Sequence, residues 1–217
     1  MQHTLSLSGR SRVLFYVASL GLPSLLLFAV LVQPVYEPKW MFLDSLTAAQ
    51  LSGDCCHTYY GFMSNLGIML WVATSAVLLL AAAVLFGVSA IGEEFRFALF
   101  GGLLSGWLAL DDMFLLHELV LPTLGVPQLV VITIYVALAL AYLLSSFRIL
   151  LRAEYWVLLI GGAGLALSIF VDSFFHSLLP QLVYIEDSAK FVGIFCWFSF
   201  HFLTATRVLS IQIADKK

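Results

Sequence analysis

The sequence predicts an all-α, polytopic integral membrane protein with about six transmembrane helices, and three observations support this fold class. Hydrophobic residues make up 62% of the 217 residues and charged residues only 11%, which gives a mean hydropathy of +1.02. Apolar runs long enough to cross a bilayer cover most of the chain, and short connections join them. A soluble domain of this length could not bury so much apolar surface. We therefore expect a single helical bundle domain over residues 1–217.

Six apolar segments approach the ~20 residues that a helix needs to cross the hydrocarbon core. Their predicted bounds are 13–32, 62–86, 97–116, 130–147, 155–175 and 191–210. The first follows Arg10 and Arg12, as a signal peptide would, but it is too long for a typical signal sequence and lacks a small-residue cleavage site. It is therefore predicted to be a span, which Pro23 can kink.

The basic residues predict the orientation of the bundle. Six arginines fall on one side of a six-span arrangement, namely Arg10, Arg12, Arg96, Arg148, Arg152 and Arg207. The loops on the opposite side contain only Lys39 and Lys190 as cations. Because positively charged short loops stay in the cytoplasm, both termini are predicted to be cytoplasmic, in a plasma membrane or a bacterial inner membrane. The formal net charge of −3, without a basic cluster, argues against nucleic-acid binding.

Small residues and cysteines indicate packing rather than chemistry. Gly101, Gly102 and Gly106 lie in span three and Gly161, Gly162 and Gly164 in span five, which predicts close helix packing at these two spans. Three cysteines exclude a disulfide-rich scaffold. Cys196, inside an apolar run, is expected to pack as a small hydrophobe, and a mutual disulfide between the neighbours Cys55 and Cys56 would be strained and uncommon.

Ionisable residues gather where three predicted spans meet the extracytoplasmic side. Span three ends with Asp111, Asp112, His117 and Glu118, span five with Asp172 and His176, and span six begins after Glu186 and Asp187 and just beside Lys190. The two aspartates lie roughly 22 Å into span three, by a rise of 1.5 Å per residue, so they are deeper than ordinary loop charges. Charges at this depth need partners, a cation or water.

Helical spacing predicts which of these side chains share a face. Asp111 and Glu118 are seven residues apart, and Asp172 and His176 are four apart, so each pair shares a face. Asp112 and His117 would point in other directions unless the helix is distorted there. Glu186 and Lys190 are expected first to form an intrahelical ion pair. His201 lies too far along span six to join a site at this end.

Carboxylates mixed with imidazoles are typical ligands of Zn, Fe or Mn, so the sequence predicts a divalent-metal site. The predicted ligands are Asp112, His117, Glu118, Asp172 and His176, with Asp111 as an alternative to Asp112 and His57 as an outside candidate. In a hydrolytic reaction one carboxylate, Asp111 or Glu118, would stay off the metal and act as the catalytic base. The leading hypothesis is therefore a membrane-embedded hydrolase, or another enzyme that modifies a lipid-like substrate.

Three other interpretations are compatible with the same residues. The carboxylates and imidazoles can form the relay of a proton-coupled or cation-coupled transporter, although no inverted repeat is visible in the sequence. The chain can instead be a structural or accessory subunit of a membrane complex. Finally, the acidic residues can be ordinary helix-end charges that are solvated at the membrane interface.

Overall fold

Six long apolar helices form the protein in a computed structural model, which describes residues 5–55, 57–175 and 182–214. The long helices are α1 (Gly9–Val32), α4 (Phe62–Gly87), α5 (Glu93–Phe114), α7 (Gln128–Ser145), α9 (Tyr155–Phe175) and α10 (Val183–Ala214). Each is long and apolar enough to cross a membrane. The described residues contain no β-strand. The predicted fold class, an all-α polytopic membrane bundle of six spans, is therefore confirmed.

Short helices lie between the spans. They are α2 (Pro38–Phe42), α3 (Ser45–Ser52), α6 (Leu121–Thr123) and α8 (Phe147–Arg152), and a π-helical turn occupies Leu116–Val120. The side chain of Asp44 caps α3 by accepting hydrogen bonds from the backbone N–H groups of Leu46 and Thr47. Helix α2 packs against α4 and α10, and this places Phe42, 1% exposed, inside the bundle.

The last span is longer than the sequence predicted. Helix α10 begins at Val183, eight residues before the predicted start at residue 191, because the charged residues from Glu186 to Lys190 interrupt the apolar signal without interrupting the helix. Helix α5 similarly begins at Glu93 rather than at residue 97 and ends at Phe114 rather than at residue 116. The early start of α10 places Asp187 and Lys190 on a helix that packs against α4.

Glycines let the helices of two pairs approach closely, as predicted for spans three and five. A Cβ atom on Gly102 of α5 would lie 2.8 Å from Leu79 Cγ on α4. A Cβ atom on Gly164 of α9 would lie 2.8 Å from the carbonyl oxygen of Ala189 on α10. Span three thus packs closely on span two, and span five on span six. Cys196 is buried and free, whereas Cys55 is disulfide-bonded and Cys56 lies outside the described residues.

The two ends of the bundle carry different charges, and we name them accordingly. The basic end, where α1 and α9 begin and α10 ends, carries Arg10, Arg12, Arg148, Arg152 and Arg207. The acidic end, where α5 ends and α10 begins, carries Asp111, Asp112, Glu118, Glu186 and Asp187. The alternation of the six spans brings the ends of α5 and α9 and the start of α10 to the same end.

Candidate metal site

A break at the end of α5 brings His117 beside Asp111. Leu115 adopts a left-handed conformation (φ 50°), and the π-helical turn Leu116–Val120 follows it. Residues six apart do not share a face of a regular α-helix, so the two side chains could not meet without this change of direction. In the structure the backbone N–H of His117 donates to Asp111 Oδ1 at 3.0 Å, and His117 Nδ1 bonds to Asp111 Oδ2.

Asp111 is almost inaccessible to solvent, with 2% of its surface exposed. Besides His117, the hydroxyl group of Tyr135 on α7 donates to its Oδ1 atom at 2.9 Å. Two oxygen atoms therefore accept three hydrogen bonds from two different segments. Charge-assisted bonds of this kind offset the cost of burying a carboxylate and fix the orientation of the imidazole ring.

The neighbouring carboxylates determine the charge of His117. Burial by itself lowers the pKa of this imidazole, but hydrogen bonds to Asp111 and Glu118 outweigh it and raise the pKa to about 10. The ring therefore carries a proton at neutral pH in the structure described here. His117 Nε2 lies 3.4 Å from Glu118 Oε1, and the Glu118 side chain is 43% exposed.

Asp112 makes its contacts with other helices. Its Oδ1 atom accepts a hydrogen bond from Lys190 Nζ on α10 at 2.9 Å, and its Oδ2 atom accepts one from the indole N–H of Trp71 on α4 at 3.1 Å. The sequence predicted Glu186, on the same helix, as the first partner of Lys190. The structure shows that Lys190 pairs with Asp112 across the bundle, and the pairing with Glu186 stays a prediction.

Together these contacts assemble a group with the composition of a metal site. Asp111, Asp112 and His117 each offer one ligand atom, and these atoms all lie within 4.8 Å of one another. Carboxylate oxygens and an imidazole nitrogen suit Zn, Fe or Mn. The group could therefore hold a metal ion.

A family model described as a domain of unknown function, DUF8692, matches residues 13–204. The chain belongs to this family. The match contains all three residues of the group and also Lys190. No curated protein and no solved structure matches the chain.

The other predicted ligands lie in different surroundings. Asp172 accepts a hydrogen bond from Gln128 Nε2 at 3.0 Å, which ties α9 to the start of α7. Among the described residues it does not join the metal-spaced group. His176 lies outside the described residues. His57 lies 2.9 Å from Asp54 in the loop before α4 and stacks on Tyr59.

His201 is part of the packed interior of the bundle, as its depth in the sequence predicted. The ring is completely buried. Its Nδ1–H group donates to the carbonyl oxygen of Trp197 at 2.8 Å, and the hydroxyl group of Tyr142 donates to Nε2 at 2.9 Å. Both ring nitrogens are therefore used in structural hydrogen bonds.

A small cavity adjoins the group on the bundle side. It offers about 30 Å³ to the centres of water molecules, which is room for one or two waters. Its polar wall consists of Ser64, Asp112, Asp187 and Lys190, and its apolar wall of Phe42, Met63, Gly67, Phe191 and Ile194.

Sequence reasoning missed the roles of Trp71, Tyr135 and Lys190, because each reaches the group from a helix that is remote in sequence.

Proposed function

We propose that this protein binds a divalent metal ion through Asp111, Asp112 and His117 and uses it to hydrolyse a lipid-like substrate. One observation carries the proposal, namely that the break at Leu115 turns His117 back onto two adjacent aspartates. Carboxylates inside a span, such as Asp111 and Asp112, are a functional hypothesis by default, because burying charges in the bilayer is costly. The break itself also supports a role beyond helix packing, since π-helical turns occur frequently at functional sites.

The residues divide into two roles in this proposal. A divalent ion in this group would polarise a carbonyl group and lower the pKa of a water molecule. Asp111 holds the imidazole of His117 in place through the bonds described above. Glu118 is the better candidate for the general base, because its carboxylate lies at 3.4 Å from His117 Nε2 and is 43% exposed, whereas Asp111 is buried and already accepts three bonds.

The surroundings of the group favour an amphiphilic substrate. The adjoining cavity has a polar wall that includes Lys190 and an apolar wall that includes Phe42 and Phe191. A lipid ester or amide would offer a carbonyl group to the ion, and its acyl chain would lie beside exposed apolar residues such as Phe114 and Leu119, because the cavity itself has room for only one or two waters. The arginine-rich opposite end supports placing the acidic end on the extracytoplasmic side of a plasma membrane or bacterial inner membrane.

Elemental analysis of detergent-purified protein tests the metal proposal. We expect close to one equivalent of Zn, Fe or Mn in the wild type and a large loss in an Asp112→Asn/His117→Ala double variant. His57→Ala is the matched control, because it removes a histidine from a loop at the same end without touching the group. Metal content that is equal in the wild type and the double variant would contradict the proposal.

A second candidate function is a proton-coupled or cation-coupled carrier, and the Asp112–Lys190 ion pair is the observation that favours it. An acid and a base that face each other between spans are a common element of proton pathways. Flux assays in proteoliposomes separate the two functions. Cation or proton flux that is abolished by Asp112→Asn would favour the carrier, and hydrolysis of lipid esters or amides without flux would favour the enzyme.

A further inference from the structure

Lys190 already supplies a positive charge at the carboxylate that the proposed metal would use. Its Nζ atom lies 2.9 Å from Asp112 Oδ1, and the two side chains are 33% and 11% exposed. Both residues lie within helices long and apolar enough to span a membrane, α10 and α5, where an unpaired carboxylate is costly. The ammonium group therefore neutralises Asp112 in the structure described here.

A metal ion on Asp112 would compete with this contact. An ammonium group and a divalent cation on one carboxylate would lie only a few ångströms apart, and solvent screens their repulsion poorly at a partly buried position. The indole N–H of Trp71 already uses the other oxygen of Asp112. The metal would therefore bind more tightly if Lys190 left Asp112.

The structure offers Lys190 another partner. Asp187 lies three residues earlier on α10 and shares a face with Lys190. Asp112, Asp187 and Lys190 line the same cavity. The cavity has a volume of about 30 Å³, and the flexible four-carbon stem of a lysine allows its ammonium group to change partner without unfolding a helix.

We propose that Lys190 is an internal cation that competes with the metal for Asp112 and moves toward Asp187 when the metal binds. This inference rests on the proposed metal site. Lys190 keeps the site electrically balanced when no metal is bound, and it sets the metal concentration at which the site fills. It also selects against monovalent cations, which gain too little from Asp112 to displace an ammonium group of the same charge.

Calorimetric titration of chelator-treated, detergent-purified protein with Zn²⁺ tests this proposal at a fixed pH. Lys190→Met and Lys190→Gln remove the charge, and we expect both to bind Zn²⁺ about tenfold more tightly than the wild type, a coupling in the usual range. Lys190→Arg is the matched control, because it keeps the charge, and it should bind within about threefold of the wild type. Unchanged or weaker binding by both neutral variants would overturn the proposal.

Asp187→Asn provides an independent test that keeps Lys190 in place. It removes the second partner of the ammonium group, so we expect about tenfold weaker Zn²⁺ binding. In the Lys190→Met background the same change should have a smaller effect. If the neutral Lys190 variants do not fold, the Asp187→Asn variant tests the proposal alone. An unchanged affinity of this variant for Zn²⁺ would overturn the inference. Failure of every form, including the wild type, to bind Zn²⁺ would instead refute the metal site itself.

Discussion

The two ends of the bundle bury carboxylates in opposite ways. At the basic end Glu154 is 4% exposed, and its Oε1 atom accepts hydrogen bonds from the hydroxyl group of Ser6, the backbone N–H of Leu7 and Arg12 Nε. The hydroxyl group of Tyr16 donates to Oε2 at 2.8 Å. One carboxylate is thus surrounded by four donors, one of them a guanidinium group that balances its charge.

At the acidic end, by contrast, carboxylates outnumber the basic side chains that they contact. Three carboxylates, those of Asp111, Asp112 and Glu118, contact two basic side chains, His117 and Lys190. Burial of a carboxylate therefore does not identify a site by itself. Glu154 fastens the segment before α1 to the start of α9, whereas Asp111 and Asp112 at the acidic end belong to a group that could hold a metal ion.

The largest effect is expected from Asp111→Ala. The change leaves three partly buried donors without an acceptor, so we expect a loss of about 3 kcal/mol in the free energy of unfolding, together with loss of bound metal. Denaturant titration in detergent measures the first quantity and elemental analysis the second. Asp54→Ala is the control for removing an exposed carboxylate and should cost less than about 0.5 kcal/mol. A loss below 1 kcal/mol for Asp111→Ala would refute the structural role of this carboxylate.

A smaller effect is expected from Glu154→Ala at the basic end. Because Arg12 is 48% exposed, water compensates part of the lost ion pair, and we expect a loss of about 2 kcal/mol in the same titration. Metal content should stay at the wild-type level. The comparison between the two ends fails if Glu154→Ala removes the metal.

Helix packing provides a matched pair of variants with a smaller effect. A Cβ atom at Gly164 would meet the Ala189 carbonyl oxygen at 2.8 Å, whereas a Cβ atom at Gly162 would meet nothing within 4 Å. We expect Gly164→Ala to cost about 1 kcal/mol in the free energy of unfolding and Gly162→Ala to be neutral or slightly stabilising. Equal stabilities would show that α9 and α10 can separate at no cost.

The smallest effect is a pH dependence at the basic end. Burial raises the pKa of Glu154, but the hydrogen bonds it accepts outweigh burial and hold its pKa below the ordinary value of 4.5. A lowered folded-state pKa contributes stability above the unfolded-state value, and this stability is lost as the pH falls through the folded-state pKa. The denaturant concentration at the midpoint of unfolding should therefore decrease as the pH is lowered below about 4.5. This decrease should be less steep in Glu154→Gln. The same pH dependence in the wild type and in Glu154→Gln would contradict a lowered pKa of Glu154.

Hydrophobic runs were sufficient to predict the fold, because crossing a bilayer imposes a minimum length on each apolar segment. Charge position likewise predicted that Asp111, Asp112 and His117 lie near one end. The contact between Asp111 and His117 could not be predicted, because nothing in the sequence Leu115-Leu116 indicates a left-handed residue, a conformation that leucine rarely adopts. The Lys190–Asp112 pair was also missed, since spacing along one helix says nothing about neighbouring helices.

X-ray absorption spectroscopy of the zinc-loaded protein tests the central claim most directly, because it reports which atoms bind the ion. The geometry predicts nitrogen and oxygen ligands at about 2.0–2.2 Å, with the signature of one imidazole. That signature should disappear in His117→Ala and persist in His57→Ala. Sulfur ligands, or an imidazole signal that survives in His117→Ala, would show that the ion binds elsewhere and would contradict the assignment of the acidic end as the metal site.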